Sequence, residues 1–199
     1  MLTNILINIA GAVIFLFIFW KNLREDYTSN QVFSTATLSL LGIGLGYLIS
    51  YKFFPSWWFW LELVLVSVGF TIAVIRYSLR PFEAIEALVI SLAPWLSLIF
   101  LSDSVTNINL SSFLAFFSLV CLITLYIFLD SHYKSFSWYA SGRIGFSGLA
   151  TLGIFFFLRA SLAYFFPFVI SFVGKFEVVV SGIGAFISFL TLYNLSRRV

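Results

Sequence analysis

Seven long apolar stretches, separated by short polar breaks, account for almost the whole chain. They run over 2–20, 31–50, 57–75, 83–101, 110–130, 144–166 and 176–195. A helix of roughly 20 apolar residues crosses the hydrocarbon of a bilayer. Hydrocarbon offers no partner to backbone N–H and C=O groups, and a helix satisfies them internally. The pattern therefore predicts an all-α, polytopic integral membrane protein with about seven transmembrane helices, forming a single domain over residues 1–199. Composition supports lipid as the solvent. The chain is 61% hydrophobic and 10% charged, whereas a soluble domain carries about 25% charged residues.

The basic residues fall in alternate breaks. Lys21 and Arg24, then Arg76 and Arg80, then Lys134 and Arg143, then Arg197 and Arg198 share one side of the predicted topology, and the breaks between hold Lys52 and Lys175. Lys and Arg in short loops stay cytoplasmic, which predicts an N-out, C-in orientation. The first stretch lacks the basic start of a signal peptide and reads as a retained span. The net charge of +3 belongs to loop ends facing anionic headgroups and gives no reason to expect a nucleic-acid partner.

Cys121 is the one cysteine and His132 the one histidine. That leaves no intrachain disulfide, no thiolate metal site and no histidine cage, so no metal or other cofactor is expected. Asp130 and His132 read as a solvated helix end, and Asp103, Asn107 and Asn109 as a polar loop without ligand spacing. Pro81 suits the first turn of the fourth helix, with Glu83 and Glu86 favourably near its N-terminus. The stretch from Pro167 to Gly174 is apolar although it falls between spans. A re-entrant segment, an interfacial segment and a kinked extension of the sixth helix all fit it. No internal repeat is evident.

Glu62 and Arg159 are ionisable residues within spans, where such groups default to functional hypotheses. At 1.5 Å per residue Glu62 lies about 8 Å, and Arg159 about 10 Å, below the same outer boundary. Two readings remain open: an ion pair or shared polar cavity, and separate snorkelling to the interface. Gly42 and Gly46 form a Gly-x-x-x-Gly pair suited to close helix packing. Trp57-Trp58-Phe59-Trp60 reads as an aromatic belt.

Three stretches resemble prolipoprotein diacylglyceryl transferase. Gly42-Ile43-Gly44-Leu45-Gly46-Tyr47 is similar to that family's second-span pattern, which has an arginine where Gly44 stands. Arg76 to Leu88, with Leu79-Arg80-Pro81-Phe82 and Glu86, resembles its basic loop, Pro-Phe pair and following acid. Phe157-Leu158-Arg159 resembles a late-span pattern whose arginine is followed four residues on by glutamate, a position held here by Ala163. The family's main signature, Gly-Arg-x-Gly-Asn-Phe, should fall near 96–104, where Leu-Ser-Leu-Ile-Phe-Leu-Ser-Asp-Ser stands instead. Gly142-Arg143-Ile144-Gly145-Phe146 is a lookalike placed one span too late, read as an inner-loop anchor with a glycine helix start.

The resemblance implies transfer of a diacylglyceryl group from phosphatidylglycerol to a cysteine thiol of a lipoprotein precursor, in a bacterial inner membrane. It makes membrane phospholipid and a lipoprotein precursor the partners. Arg159 would be the catalytic cation, with Glu62, Tyr47 and Arg159 binding the substrate. Because the signature is missing, the expectation is a divergent or catalytically degenerate member. The alternatives are a non-enzymatic lipid- or protein-binding scaffold, and a small transporter or channel subunit.

Overall fold

The computed structural model describes residues 2–136, 139, 144–165 and 169–197. Its helices are α1 (Leu2–Leu23), α2 (Ser29–Phe53), α3 (Trp58–Tyr77), α4 (Pro81–Asn107), α5 (Leu110–His132), α6 (Phe146–Phe165) and α7 (Phe176–Arg197). Among the described residues the fold is all-α, and these 7 α-helices are long and apolar enough to span a membrane. The elements fall where expected, but α4 starts earlier and ends later than its apolar stretch, and α2 continues to Phe53.

Local chemistry sets these ends. Thr28 and Gln31 make a capping box that opens α2, satisfying backbone donors that a helix start leaves free. Pro81 occupies the first turn of α4, where its missing N–H is no loss. Ser78 (φ 55°) and Ile108 (φ 49°) end α3 and α4 in the left-handed region. Asn109 then caps α5 by accepting from the Ser111 N–H at 3.0 Å. Asp103 gathers Asn107 at 2.7 Å and also Ser112, closing the α4–α5 corner. His132 stacks on Phe128 at the end of α5 and is exposed.

Hydrogen bonds between distant residues define the two ends of the bundle. At the basic end, the Tyr27 hydroxyl donates to Glu83 at 2.7 Å and accepts from the Arg80 N–H at 3.1 Å. Gln31 donates to the Tyr77 carbonyl at 3.0 Å, and the Gly145 N–H donates to Glu86 at 2.6 Å. Glu83 and Glu86 thus do more than complement a helix dipole: both are buried and tie two other connections to α4. Burial raises the Tyr27 phenol above its ordinary pKa, which keeps it a neutral donor. Residues 142 and 143 of the lookalike motif lie outside the described residues. Gly145, at φ +112°, lies against Phe82 and leads into α6 at the basic end. At the opposite end, Trp58 donates to the Ile170 carbonyl at 3.0 Å.

Helix α4 is the hub, packing on α1, α5 and α6, while α2 pairs with α3 and α6 with α7. The α2–α3 seam is backbone against backbone. A Cβ at Gly42 would lie 2.4 Å from the Leu65 carbonyl oxygen, one at Gly46 would lie 2.6 Å from the Glu62 Cα, and one at Gly69 would lie 2.5 Å from the Leu38 oxygen. The Gly-x-x-x-Gly reading of the sequence therefore holds. Gly44 faces open space and takes no part.

This geometry separates three glycines on one helix. Gly42→Ala and Gly46→Ala should each destabilise the fold by about 1–3 kcal/mol through overpacking. Gly44→Ala should be neutral or stabilising by about 1 kcal/mol through helix propensity. Unfolding of the purified protein in detergent, compared across the three variants, measures the difference.

Candidate functional site

The most concentrated polar chemistry in the bundle lies toward the tryptophan-bearing end, on α6, α7 and α3. Arg159 projects from α6 six residues before that helix ends at Phe165, roughly 9 Å along the axis. It is 4% exposed. Its Nε donates to Glu177 Oε1 at 2.9 Å, and its Nη2 lies 2.7 Å from the same oxygen. Nη1 donates to the Ser171 hydroxyl at 2.9 Å, and Nη2 to the Ser171 carbonyl at 3.0 Å. All three guanidinium nitrogens are engaged.

Glu177 is equally occupied. It sits in the first turn of α7, where the helix dipole favours an anion. Ser181 donates to its Oε1 at 2.6 Å, and Trp60 donates to its Oε2 at 2.9 Å. The Val173 N–H adds a longer contact at 3.3 Å. Glu177 and Ser181 are both fully buried. The ring centres of Phe59 and Phe172 lie 3.8 and 4.9 Å from the guanidinium carbon, so aromatic faces cover what the hydrogen bonds leave open. A buried ion pair is tolerable only with this kind of complete satisfaction.

The network explains the apolar connection between α6 and α7. Residues 166–168 lie outside the described residues, but Val169 and Ser171 are buried. A turn is closed by Phe172 donating to the Val169 carbonyl at 2.9 Å, and Gly174 adopts φ +57°. This part of the connection is irregular backbone folded into the bundle. Such backbone is admissible at membrane depth where protein supplies its hydrogen bonds. Arg159 supplies one to Ser171, and Trp58 supplies one to Ile170.

The expected constellation is therefore revised. The ion pair joins Arg159 to Glu177, not to Glu62. Glu62 is half-buried, its backbone against Gly46 on the α2 side of α3. Tyr47 is 55% exposed and stacks on Tyr51, facing outward from α2. Neither reaches the arginine network. Phe59 and Trp60, read as interfacial belt, are buried and line Arg159. Glu177 is the residue that sequence reasoning passed over. It stands at the edge of the last apolar stretch, where an acid resembles a headgroup-level residue; its signal was the apolar connection before it, which brings it back beside α6.

The space beside Arg159 is small. A cavity of about 30 Å³ is lined by Phe100, Leu119, Leu122, Phe155 and Val169 with the arginine at its side. That is room for about one water. Among the described residues no group of three His, Cys, Asp or Glu side chains could hold a metal ion. Comparison of the chain with family models, curated proteins and solved structures finds no match.

Removing one partner of the pair should be far worse than removing both. Arg159→Met or Glu177→Leu alone should destabilise by about 3–5 kcal/mol. The double variant should recover part of that loss, and Glu62→Gln should change stability by less than about 1 kcal/mol. A double-mutant cycle on the unfolding free energy in detergent reads all of these.

Proposed function

We propose that this protein is a membrane scaffold of the diacylglyceryl-transferase kind in which the transfer chemistry is absent, and which acts by binding lipid or a protein partner. We place its basic end at the cytoplasmic face of a bacterial inner membrane, because short basic loops are retained on that side. The reading rests above all on the engagement of Arg159. Transfer from a phosphatidylglycerol needs a cation directed at the departing phosphate, and a means of activating the acceptor thiol. All three guanidinium nitrogens of Arg159 are committed to Glu177 and Ser171, and the adjoining space admits about one water. Presenting this arginine to a phosphate would break a buried pair and release the Ser171 backbone. Lys52, in the last turn of α2, and Lys175, just before α7, are both exposed. Lysine also lacks the bidentate fork that suits phosphate.

Complementation tests the reading. Expression in bacteria depleted of their own diacylglyceryl transferase should restore no lipoprotein modification, with membrane insertion confirmed in the same cells. Rescue that disappears in Arg159→Gln, at equal protein level, would establish that the buried arginine becomes available and that the chain is a transferase.

A further inference from the structure

Glu86 is a buried carboxyl without a positive partner. It is 6% exposed and lies on α4 past its Pro81 start, roughly 8 Å along the axis. Gly148 of α6 brings the two backbones together there, since a Cβ on it would lie 2.6 Å from the Glu86 Cα. Oε2 accepts the Gly145 N–H at 2.6 Å, and Oε1 has no hydrogen-bond donor among the described residues. The start of α6 offsets about half a charge. Among the described residues no lysine or arginine pairs with Glu86. The charged group that acts on it, Asp130, has the same sign. A carboxylate buried in this way is costly unless something positive joins it.

Hydroxyls gather beside that carboxyl. Those of Tyr126 on α5 and Ser147 on α6 both face it. Ser147 is 1% exposed and makes no hydrogen bond. Thr151, 4% exposed and one turn further along the same face of α6, makes none either. Ser39, Ser91 and Ser188 are buried on other helices, and each donates to the carbonyl four residues back. Thr151 has the same option in the Ser147 carbonyl and does not take it. Asp130 stands one turn beyond Tyr126 and is exposed, which gives the crevice an acidic mouth at the basic end of the bundle.

The geometry points to a binding site for one hard monovalent cation of the sodium class, held between α4, α5 and α6 by Glu86 Oε1 and the hydroxyl oxygens of Ser147, Thr151 and Tyr126. All four donors are oxygens, which suit hard cations. One carboxylate among neutral hydroxyls balances a single positive charge. Divalent and transition metals draw on several carboxylates or on softer ligands. Positions four apart on a helix have Cβ atoms about 5–6 Å apart, so Ser147 and Thr151 can both point at one guest. A water would satisfy the hydroxyls but leave the charge of Glu86 unbalanced. The site needs neither Arg159 nor a lipid or protein partner, so it stands apart from the function proposed above.

Thermal unfolding of the detergent-purified protein in sodium chloride, against choline chloride at equal ionic strength and pH, tests this. A cation that binds only the folded state raises the midpoint with its concentration. Sodium should raise it above the choline value. Glu86→Gln, whose amide oxygen still accepts the Gly145 N–H, should abolish the rise. Thr151→Val should increase the sodium concentration needed for the same rise about tenfold. Because the hydroxyl it removes has no partner, that variant should unfold in choline chloride no earlier than the parent, and it carries the test if Glu86→Gln does not fold. Glu62→Gln should leave the response unchanged. Equal midpoints in sodium and choline would overturn the proposal, and a midpoint that then follows pH alone would mean that the guest is only a proton. A sodium response kept by both Glu86→Gln and Thr151→Val would place the cation elsewhere and overturn it as well.

Discussion

Hydrocarbon accepts no hydrogen bonds, and every non-helical peptide group placed at its depth must find a partner within the protein. That constraint governs the region between α6 and α7. An apolar connection could have run across the headgroups, solvated by water. Instead Val169 and Ser171 are buried in the bundle, and Arg159 reaches from α6 to the Ser171 carbonyl. The arginine then requires a counter-charge, which Glu177 supplies from the first turn of α7. Glu177 in turn requires donors for its remaining lone pairs, which Trp60 and Ser181 provide. One backbone requirement thus recruits side chains from three helices and joins the α2–α3 pair to the α6–α7 pair at this end.

Elsewhere the helices are held by shape. Gly42, Gly46 and Gly69 let α2 and α3 meet backbone to backbone. Between α6 and α7 the contact is ring on glycine: Phe189 covers Gly153, and Phe156 covers Gly184. Trp95 of α4 lies over Gly11 of α1 in the same way. Lipid tails are as apolar as leucine, so burial alone gives helices little reason to associate, and close approach with dense packing becomes the main source of cohesion.

Much of the architecture was legible in the sequence because span length and hydropathy are set by the bilayer, independent of tertiary context. The glycine seam was legible because a spacing of four residues places Gly42 and Gly46 on one face of α2. The polar centre was only half legible. Arg159 stands out inside an apolar run, but its partner is chosen by how the 169–175 connection folds, which no helical period encodes. Depth bookkeeping pointed to Glu62 because it and Arg159 lie at similar distances from one boundary. Rotation about the α3 axis decides otherwise: Phe59 and Trp60 face α6, while Glu62 faces α2.

The pairing of Arg159 with Glu177, 18 residues further along the chain, also constrains how the protein can be made. An arginine entering the bilayer alone faces a transfer cost of about 2.5–3.5 kcal/mol even on the insertion scale, which is the more lenient one. If α6 enters the bilayer ahead of α7, its arginine meets neither Glu177 nor the Ser171 carbonyl that it holds in the folded protein. Helix α6 must therefore wait at the lateral gate, or lean its arginine toward the headgroups, until α7 arrives. Entry of α6 and α7 as a hairpin would carry the arginine, its counter-charge and the Ser171 carbonyl into the membrane together.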